Sequence, residues 1–278
     1  MKELASMSTA IIITLFVLPF VGFAVAPSVG TVAATDPISL NESSSIIVWC
    51  NATVTDEDGY VDVTTVNATL WDPADTTEGA ADNNTNHYTN SSCALSGGSG
   101  TTVNAACVFS LQYYIDAAEW TCKLTAVDNT SATGTNNVTT VTVNQLKALS
   151  TDATIAFSEL ALGATSAEQN ITVANTGNTQ IDVSVDGYGS SDGDGYATVC
   201  TVGGSEISLS NLKYNLTAGQ DFTANMTVLT DLAVTLADFD LARTTDGTPS
   251  TKPIFWKLKI PSSDVGGSCS GKIVITAV

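Results

Sequence analysis

The sequence predicts an all-β protein made of two tandem β-sandwich domains behind an apolar N-terminal segment. Three observations predict it. Beyond residue 26 helical periodicity is nearly absent, and apolar residues alternate over short stretches broken by Gly, Asn, Asp and Pro. Six cysteines divide into four (Cys50, Cys93, Cys107, Cys122) and two (Cys200, Cys269), an even number in each half. A length of 278 residues leaves room for about two domains.

The N-terminus reads as a signal peptide or an uncleaved membrane anchor over residues 1–26. Lys2 supplies a minimal basic start, Ala10 to Ala26 is an apolar run, and Ala24-Val25-Ala26 is a small-residue cleavage motif. Pro19 and Gly22 weaken the run as a spanning helix, and Pro27 disfavours cleavage directly before it, so retention or a cut after Ala34 stays open. Everything from Pro27 onward is expected outside the cell or on its surface, with the membrane met only through this segment. The closing "KIVITAV" reads as a strand.

Residues 27–147 are expected to form the first sandwich. In "SIIVWCNATV" Ile46, Val48, Cys50, Ala52 and Val54 share one face; in "EWTCKLTAV" Trp120, Cys122, Leu124 and Ala126 do the same. Both cysteines lie on apolar faces, which suits a bridge between two sheets. A Gly/Asn/Ser-rich stretch, about 73–107, reads as an insertion closed by its own disulfide. The linker "NQLKALSTDAT" lacks Pro and Gly, which implies a restricted arrangement of the halves. Residues 148–278 then form the second sandwich, with two strands around an Asn-Thr-Gly-Asn turn. In an exported chain even cysteines read as disulfides, and pairing within each half leaves three arrangements. The one expected is Cys50–Cys122, Cys93–Cys107 and Cys200–Cys269.

The first half resembles immunoglobulin-like and PKD- or cadherin-like modules through "VTDEDGYVDV" and "EWTCKLTAVDN". The second is similar to β-sandwich domains of archaeal exported surface proteins, and more distantly to camelysin/TasA-like filament subunits with a comparable Asn-Thr-Gly turn. These resemblances imply two tandem immunoglobulin-like β-sandwich domains and say nothing about activity.

Nine basic against 28 acidic residues give a net charge of −19 with only 13% of residues charged. Such a surface has no cluster of Lys or Arg for phosphates, so nucleic acid is not an expected partner. Ten N-x-[ST] sequons stand at Asn41, Asn51, Asn67, Asn83, Asn90, Asn129, Asn137, Asn170, Asn215 and Asn225. Asn-, Thr- and Ser-rich composition generates sequons by chance, but Asn51, Asn67, Asn170, Asn215 and Asn225 fall opposite apolar sets and so face solvent, as a glycan requires.

Two acidic loops are calcium candidates. One holds Asp56 and Asp58 in Asp-Glu-Asp-Gly; the other, "DGYGSSDGDGY", holds Asp186, Asp192 and Asp194. Neither has the EF-hand frame, and Asp-Gly is also a preferred hairpin turn. The turn reading is favoured for the first loop, and the two readings balance for the second. No other cofactor is expected. Trp120 and Trp256 fall with core faces; Trp49 and Trp71 fall with outward faces, where they would stack on sugars or lie under the insertion or the second domain.

His87 is the only histidine and lies in a polar stretch, and no nucleophile, phosphate-loop or zinc motif occurs. An enzyme is therefore not expected; a carboxylate-based hydrolase is the remaining catalytic reading. The expected function is an exported cell-surface glycoprotein with a structural or adhesive role, contacting other surface-protein subunits or cell-envelope glycans, a homo-oligomer included. Two alternatives stand beside it. One is a filament subunit assembled by strand pairing or donor-strand complementation, with "PSVGTVAATDPISL" as donor. The other is a carbohydrate-binding module using Trp49, Trp71 or Tyr88.

Overall fold

A computed structural model of the chain describes residues 24–278; the expected signal or anchor lies, through residue 23, outside the described residues. The described chain is all-β, with twenty strands and two short 3-10 turns, Tyr60–Asp62 and Leu209–Asn211. Among the described residues no helix is long and apolar enough to cross a membrane.

The first half contains β1 (Ser28–Val29), β2 (Ala33–Ala34), β3 (Ile46–Thr55), β4 (Val63–Trp71), β5 (His87–Asn90), β6 (Ala94–Ser99), β7 (Thr102–Leu111), β8 (Glu119–Asp128) and β9 (Thr133–Thr142). One antiparallel sheet runs β1–β3–β7–β6 with β2 also paired to β3, and the other runs β5–β4–β8–β9. The alternation in β3 follows from its faces: Val48, Cys50, Ala52 and Val54 are buried while Trp49 and Thr53 are exposed. From the other sheet, Trp120, Cys122, Leu124 and Ala126 meet them with no exposed surface. Burying each large apolar side chain contributes roughly 1.5–3 kcal/mol, so the facing rows of β3, β7, β4 and β8 hold this half together. Trp120 keeps its polar atom satisfied by donating Nε1–H to the Asp116 carbonyl at 3.0 Å.

Two expectations change here. Residues 73–107, read as an insertion closed by its own disulfide, are built into both sheets. They supply β5, β6 and the start of β7, which pairs with β3 from Ile46↔Leu111 to Thr55↔Thr102. Their Gly, Asn and Ser content conceals the strands because all six residues of β6 are exposed and carry no apolar face. The proposed donor segment, residues 27–40, is already engaged in its own chain. Val29, Val32, Ile38 and Leu40 are buried in the core, and β1 and β2 pair with β3.

The second half contains β10 (Leu149–Thr151), β11 (Gln169–Asn175), β12 (Val183–Tyr188), β13 (Tyr196–Cys200), β14 (Glu206–Ser208), β15 (Leu212–Asn215), β16 (Thr227–Val228), β17 (Val234–Thr235), β18 (Thr251–Leu258), β19 (Cys269–Ser270) and β20 (Lys272–Ala277). Its sheets run β10–β11–β18–β15–β16, β17–β12–β20 and β14–β13–β19. They enclose a second core in which Val173, Val183, Val185, Ile207, Phe239, Ile254 and Trp256 have no exposed surface.

Three disulfides join Cys50 to Cys122, Cys93 to Cys107 and Cys200 to Cys269, and no described cysteine is free. Cys50 on β3 and Cys122 on β8 connect the two sheets of the first half. Cys93 lies where the chain crosses between those sheets, its N–H donating to the Val66 carbonyl at 2.7 Å. Cys200 and Cys269 face each other in register on β13 and β19.

The Asn-Thr-Gly-Asn turn, residues 175–178, is buried against the linker. Thr176 and Asn178 donate their N–H groups to the carbonyls of Ala148 and Leu146, both at 3.0 Å. Leu146 in return donates to Asn178 Oδ1 at 2.6 Å, and Asn178 Nδ2 donates to the Asn144 carbonyl at 3.1 Å. Across the same junction Arg243 donates to the Tyr114 carbonyl at 2.8 Å and pairs with the Asp116 carboxylate.

Candidate functional site

Among the described residues, acidic side chains gather in threes at two places: Asp56, Asp62 and Asp128, and Asp72, Asp75 and Asp116. The first group is assembled by the crossing from one sheet to the other. Asp56 directly follows β3, Asp62 directly precedes β4, and Asp128 ends β8, where it pairs in register with Val63. Gly59, at φ 115°, permits the tight turn between them, its N–H donating to the Asp56 carbonyl at 3.0 Å.

The candidate ligand atoms of this trio lie within 4.8 Å of one another, and Asp56 and Asp128 are only 1% and 2% exposed. One oxygen of each buried carboxylate is fixed by local donors. Asp56 Oδ1 accepts the Asp58 N–H at 2.9 Å; Asp128 Oδ1 accepts the N–H groups of Thr130 and Ala132, both at 2.8 Å, and the Thr130 hydroxyl at 2.9 Å. The other oxygen of each, Oδ2, is buried without a hydrogen-bond partner. Asp62, half-buried, accepts from Asn129 Nδ2. Desolvation, then the charges of Asp56, Asp128 and Asp58, push the Asp62 carboxyl above its usual range. Desolvation would raise Asp128 too, but the N–H and hydroxyl donors outweigh it and hold that carboxyl low.

Asp58, paired with Asp56 in the sequence reading, turns away: its Oδ2 accepts the Val25 N–H at 2.8 Å. The second trio already has a cation, because Arg243 pairs with Asp116. Desolvation still raises the Asp116 carboxyl against that pairing, and Asp75 and Asp72 add to the rise.

The loop of Asp186, Asp192 and Asp194 is organised by its own backbone. Asp194 accepts N–H groups from Gly189, Ser190, Ser191 and Tyr196 at 2.7–3.1 Å, so both of its oxygens are engaged. Asp186 sits on β12 opposite Val274, and Asp192 is exposed. The loop is not one of the two places where three carboxylates converge among the described residues. Desolvation opposes the charge on Asp194, but the N–H donors prevail and hold its carboxyl well below the usual carboxylate range. Backbone donors hold Asp221 and Asp246 low as well. A carboxylate lowered in the folded state adds stability that is complete above the unfolded pKa, about 4, and is lost as pH falls through the folded value. The melting temperature is therefore expected to drop below about pH 4, and the acid slope to flatten in Asp194→Asn; calorimetry across pH 2–7 checks both.

The ten sequon asparagines all lie outside the buried set, whereas the fully buried Asn175 and Asn178 belong to no sequon. Asn41, Asn83, Asn129, Asn137, Asn170 and Asn225 are exposed; Asn51, Asn67, Asn90 and Asn215 are half-buried, and Asn51 Oδ1 is enclosed without a partner.

Of the four tryptophans only Trp49 is exposed, at 42%, beside its register partner Val108 and near Ile47. Trp71 is buried, contrary to its strand parity. The strand end is closed by the returning chain, with His87 opposite Trp71 and the Asp72 N–H donating to the Asn86 carbonyl at 2.9 Å. Tyr88 is buried too, its hydroxyl donating to the Asn84 carbonyl at 2.8 Å, and desolvation raises its pKa. His87 is 1% exposed, its Nδ1 facing Asp82 and its Nε2 the Glu78 carbonyl, both at 2.9 Å.

No family model matches the chain, and no curated protein matches it. Several solved structures show distant likenesses. One is a chaperone–tip adhesion subunit pre-assembly complex from the archaic chaperone-usher Csu pili of Acinetobacter baumannii, at 9% identity and a TM-score of 0.40, over 89% of this chain and 99% of that one. Another is latent PorU of Porphyromonas gingivalis, at 11% identity and 0.27, over 91% of this chain. A third is the alpha-2-macroglobulin of E. coli, at 11% and 0.29, again over 91%. The chain spans 20% of the PorU chain and 17% of the macroglobulin. No residue role follows from these likenesses.

Proposed function

We propose that the chain is an extracytoplasmic cell-surface glycoprotein with a structural or adhesive role in the envelope, built on two tandem immunoglobulin-like sandwiches. The observation that carries this reading is the pairing of all six cysteines, Cys50 with Cys122, Cys93 with Cys107 and Cys200 with Cys269. Structural disulfides form and persist outside the reducing cytosol. The exposure of six of the ten sequon asparagines supports it, as does the state of His87, both of whose ring nitrogens are engaged in a buried site. That engagement favours a non-catalytic role, because the one histidine has no free ring nitrogen. The adhesive surface is assigned to the outer face of β3 and β7, where Ile47, Trp49 and Val108 are exposed on neighbouring strands. Of Trp49, Trp71 and Tyr88, Trp49 is then the one open to a carbohydrate, since Trp71 and Tyr88 are buried.

Peptide mass spectrometry of the protein from its native host tests the reading. Glycan is expected at the exposed Asn41, Asn137, Asn170 and Asn225 and not at Asn51, whose amide lies in the middle of β3 against β2 and β7. The non-reduced digest is expected to contain all three cross-linked peptides. An unmodified chain with free thiols would overturn the surface assignment.

A further inference from the structure

We propose that Asp56, Asp62 and Asp128 form a divalent-cation site of the calcium class at the end of the first sandwich, where its two sheets meet. The buried Oδ2 atoms of Asp56 and Asp128 carry the inference. Each belongs to a carboxylate at least 98% buried, each lacks a hydrogen-bond partner, and each is held in orientation by the donors on its sister Oδ1. A buried carboxylate oxygen with neither donor nor counter-ion is costly, and such atoms are normally satisfied. Among the described residues no Lys or Arg forms an ion pair with any member of this trio, whereas Arg243 serves the Asp72–Asp75–Asp116 group. The trio thus offers hard oxygen donors that lack a cation.

The donor set selects the ion. All three ligands are carboxylates with no imidazole or thiolate, which favours calcium or magnesium over zinc or copper. The ligand atoms lie within 4.8 Å of one another, about twice a Ca–O distance of roughly 2.4 Å, so one calcium ion bridges any two of them and a slight inward movement brings in the third. Magnesium at about 2.1 Å would require a larger contraction of the trio. Water completes the coordination on the side of half-buried Asp62. An ion there joins the end of β3, the start of β4 and the end of β8, a link between the sheets separate from Cys50–Cys122. The site stands independently of the surface assignment, and its test does not depend on glycans or disulfides.

Titration of calcium alone into the chelator-treated full chain, by calorimetry with parallel thermal melts, is the experiment. One site per chain is expected, with an affinity in the range of extracellular modules, roughly 10⁻⁴–10⁻³ M, or tighter, and a melting temperature that rises with calcium. Magnesium is expected to bind more weakly. Asp62→Asn and Asp128→Asn are expected to weaken binding at least about tenfold, while Asp192→Asn leaves it unchanged. Asp62→Asn alters only a half-buried residue and carries the test alone should Asp128→Asn not fold. No heat and no thermal shift at about 10 mM calcium would overturn the proposal. So would binding that survives Asp62→Asn, or that is lost in Asp192→Asn.

Discussion

Replacing both Cys50 and Cys122 by alanine is expected to cost the first sandwich about 4 kcal/mol, from the loop-closure entropy of a 72-residue separation. Removing Cys93 and Cys107, 14 residues apart, is expected to cost about 3 kcal/mol on the same reasoning. The larger loss corresponds to a fall in melting temperature of roughly 10 °C for a chain whose halves unfold together. The effect also has a structural component. Cys50 and Cys122 are 1% and 0% exposed, and the bond between them is the covalent link from one sheet of the first half to the other. The paired replacement is required because Cys50 lies directly opposite Cys107 in the β3–β7 register. A single Cys122→Ala variant would leave the Cys50 thiol beside the Cys93–Cys107 bond, free to attack it by thiol–disulfide exchange. Guanidinium unfolding of the two double variants checks the order, and equal losses would show that loop length does not control it.

The alternation of β3 and β8 was legible because each strand has one face on the core and one on solvent, so period two appears directly in Val48, Cys50, Ala52, Val54 and in Trp120, Cys122, Leu124, Ala126. The same rule failed at Trp71, where a strand end is roofed by returning chain and both faces are buried. It was silent on β6, which has no buried face. The acidic site shows the limit of local reading more sharply. Asp56 and Asp58 stand two residues apart and point to different places, whereas Asp128 is brought beside Asp62 by the β4–β8 pairing and Asp56 joins them through the crossing from β3 to β4. No spacing rule reaches across that distance. A carboxylate at each of several strand ends was the available signal, and it is too common in a chain with 28 acids to single out a trio.

The Asn-Thr-Gly-Asn turn was legible as a turn but not as a joint, and its glycine provides the second large expected effect. Gly177 has no positive φ; what it needs is space. A Cβ there would lie 2.0 Å from the Leu146 carbonyl oxygen and 3.0 Å from the Ala148 nitrogen, both backbone atoms that cannot turn aside. Gly177→Ala must therefore lift the turn from the linker. That move breaks the donations of Thr176 to Ala148 and Asn178 to Leu146, and those from Leu146 to Asn178 Oδ1 and Asn178 Nδ2 to Asn144. It also strains the buried amide of Asn175, which accepts from Gly177 at 2.9 Å and donates to the carbonyls of Thr179 and Leu241. With several part-buried groups left unpaired at about 1 kcal/mol or more each, the expected loss is about 3 kcal/mol or more. Because the two cores lie on either side of this contact, the halves are expected to unfold separately in the variant and together in the parent. Faster proteolysis near residues 144–148 and a larger radius of gyration in solution scattering should accompany the change. Gly79→Ala, whose Cβ meets nothing within 4 Å, is the matched control and is expected to leave all three readings unchanged. A Gly177→Ala protein that melts in one transition at the parent temperature would show that the turn does not couple the halves.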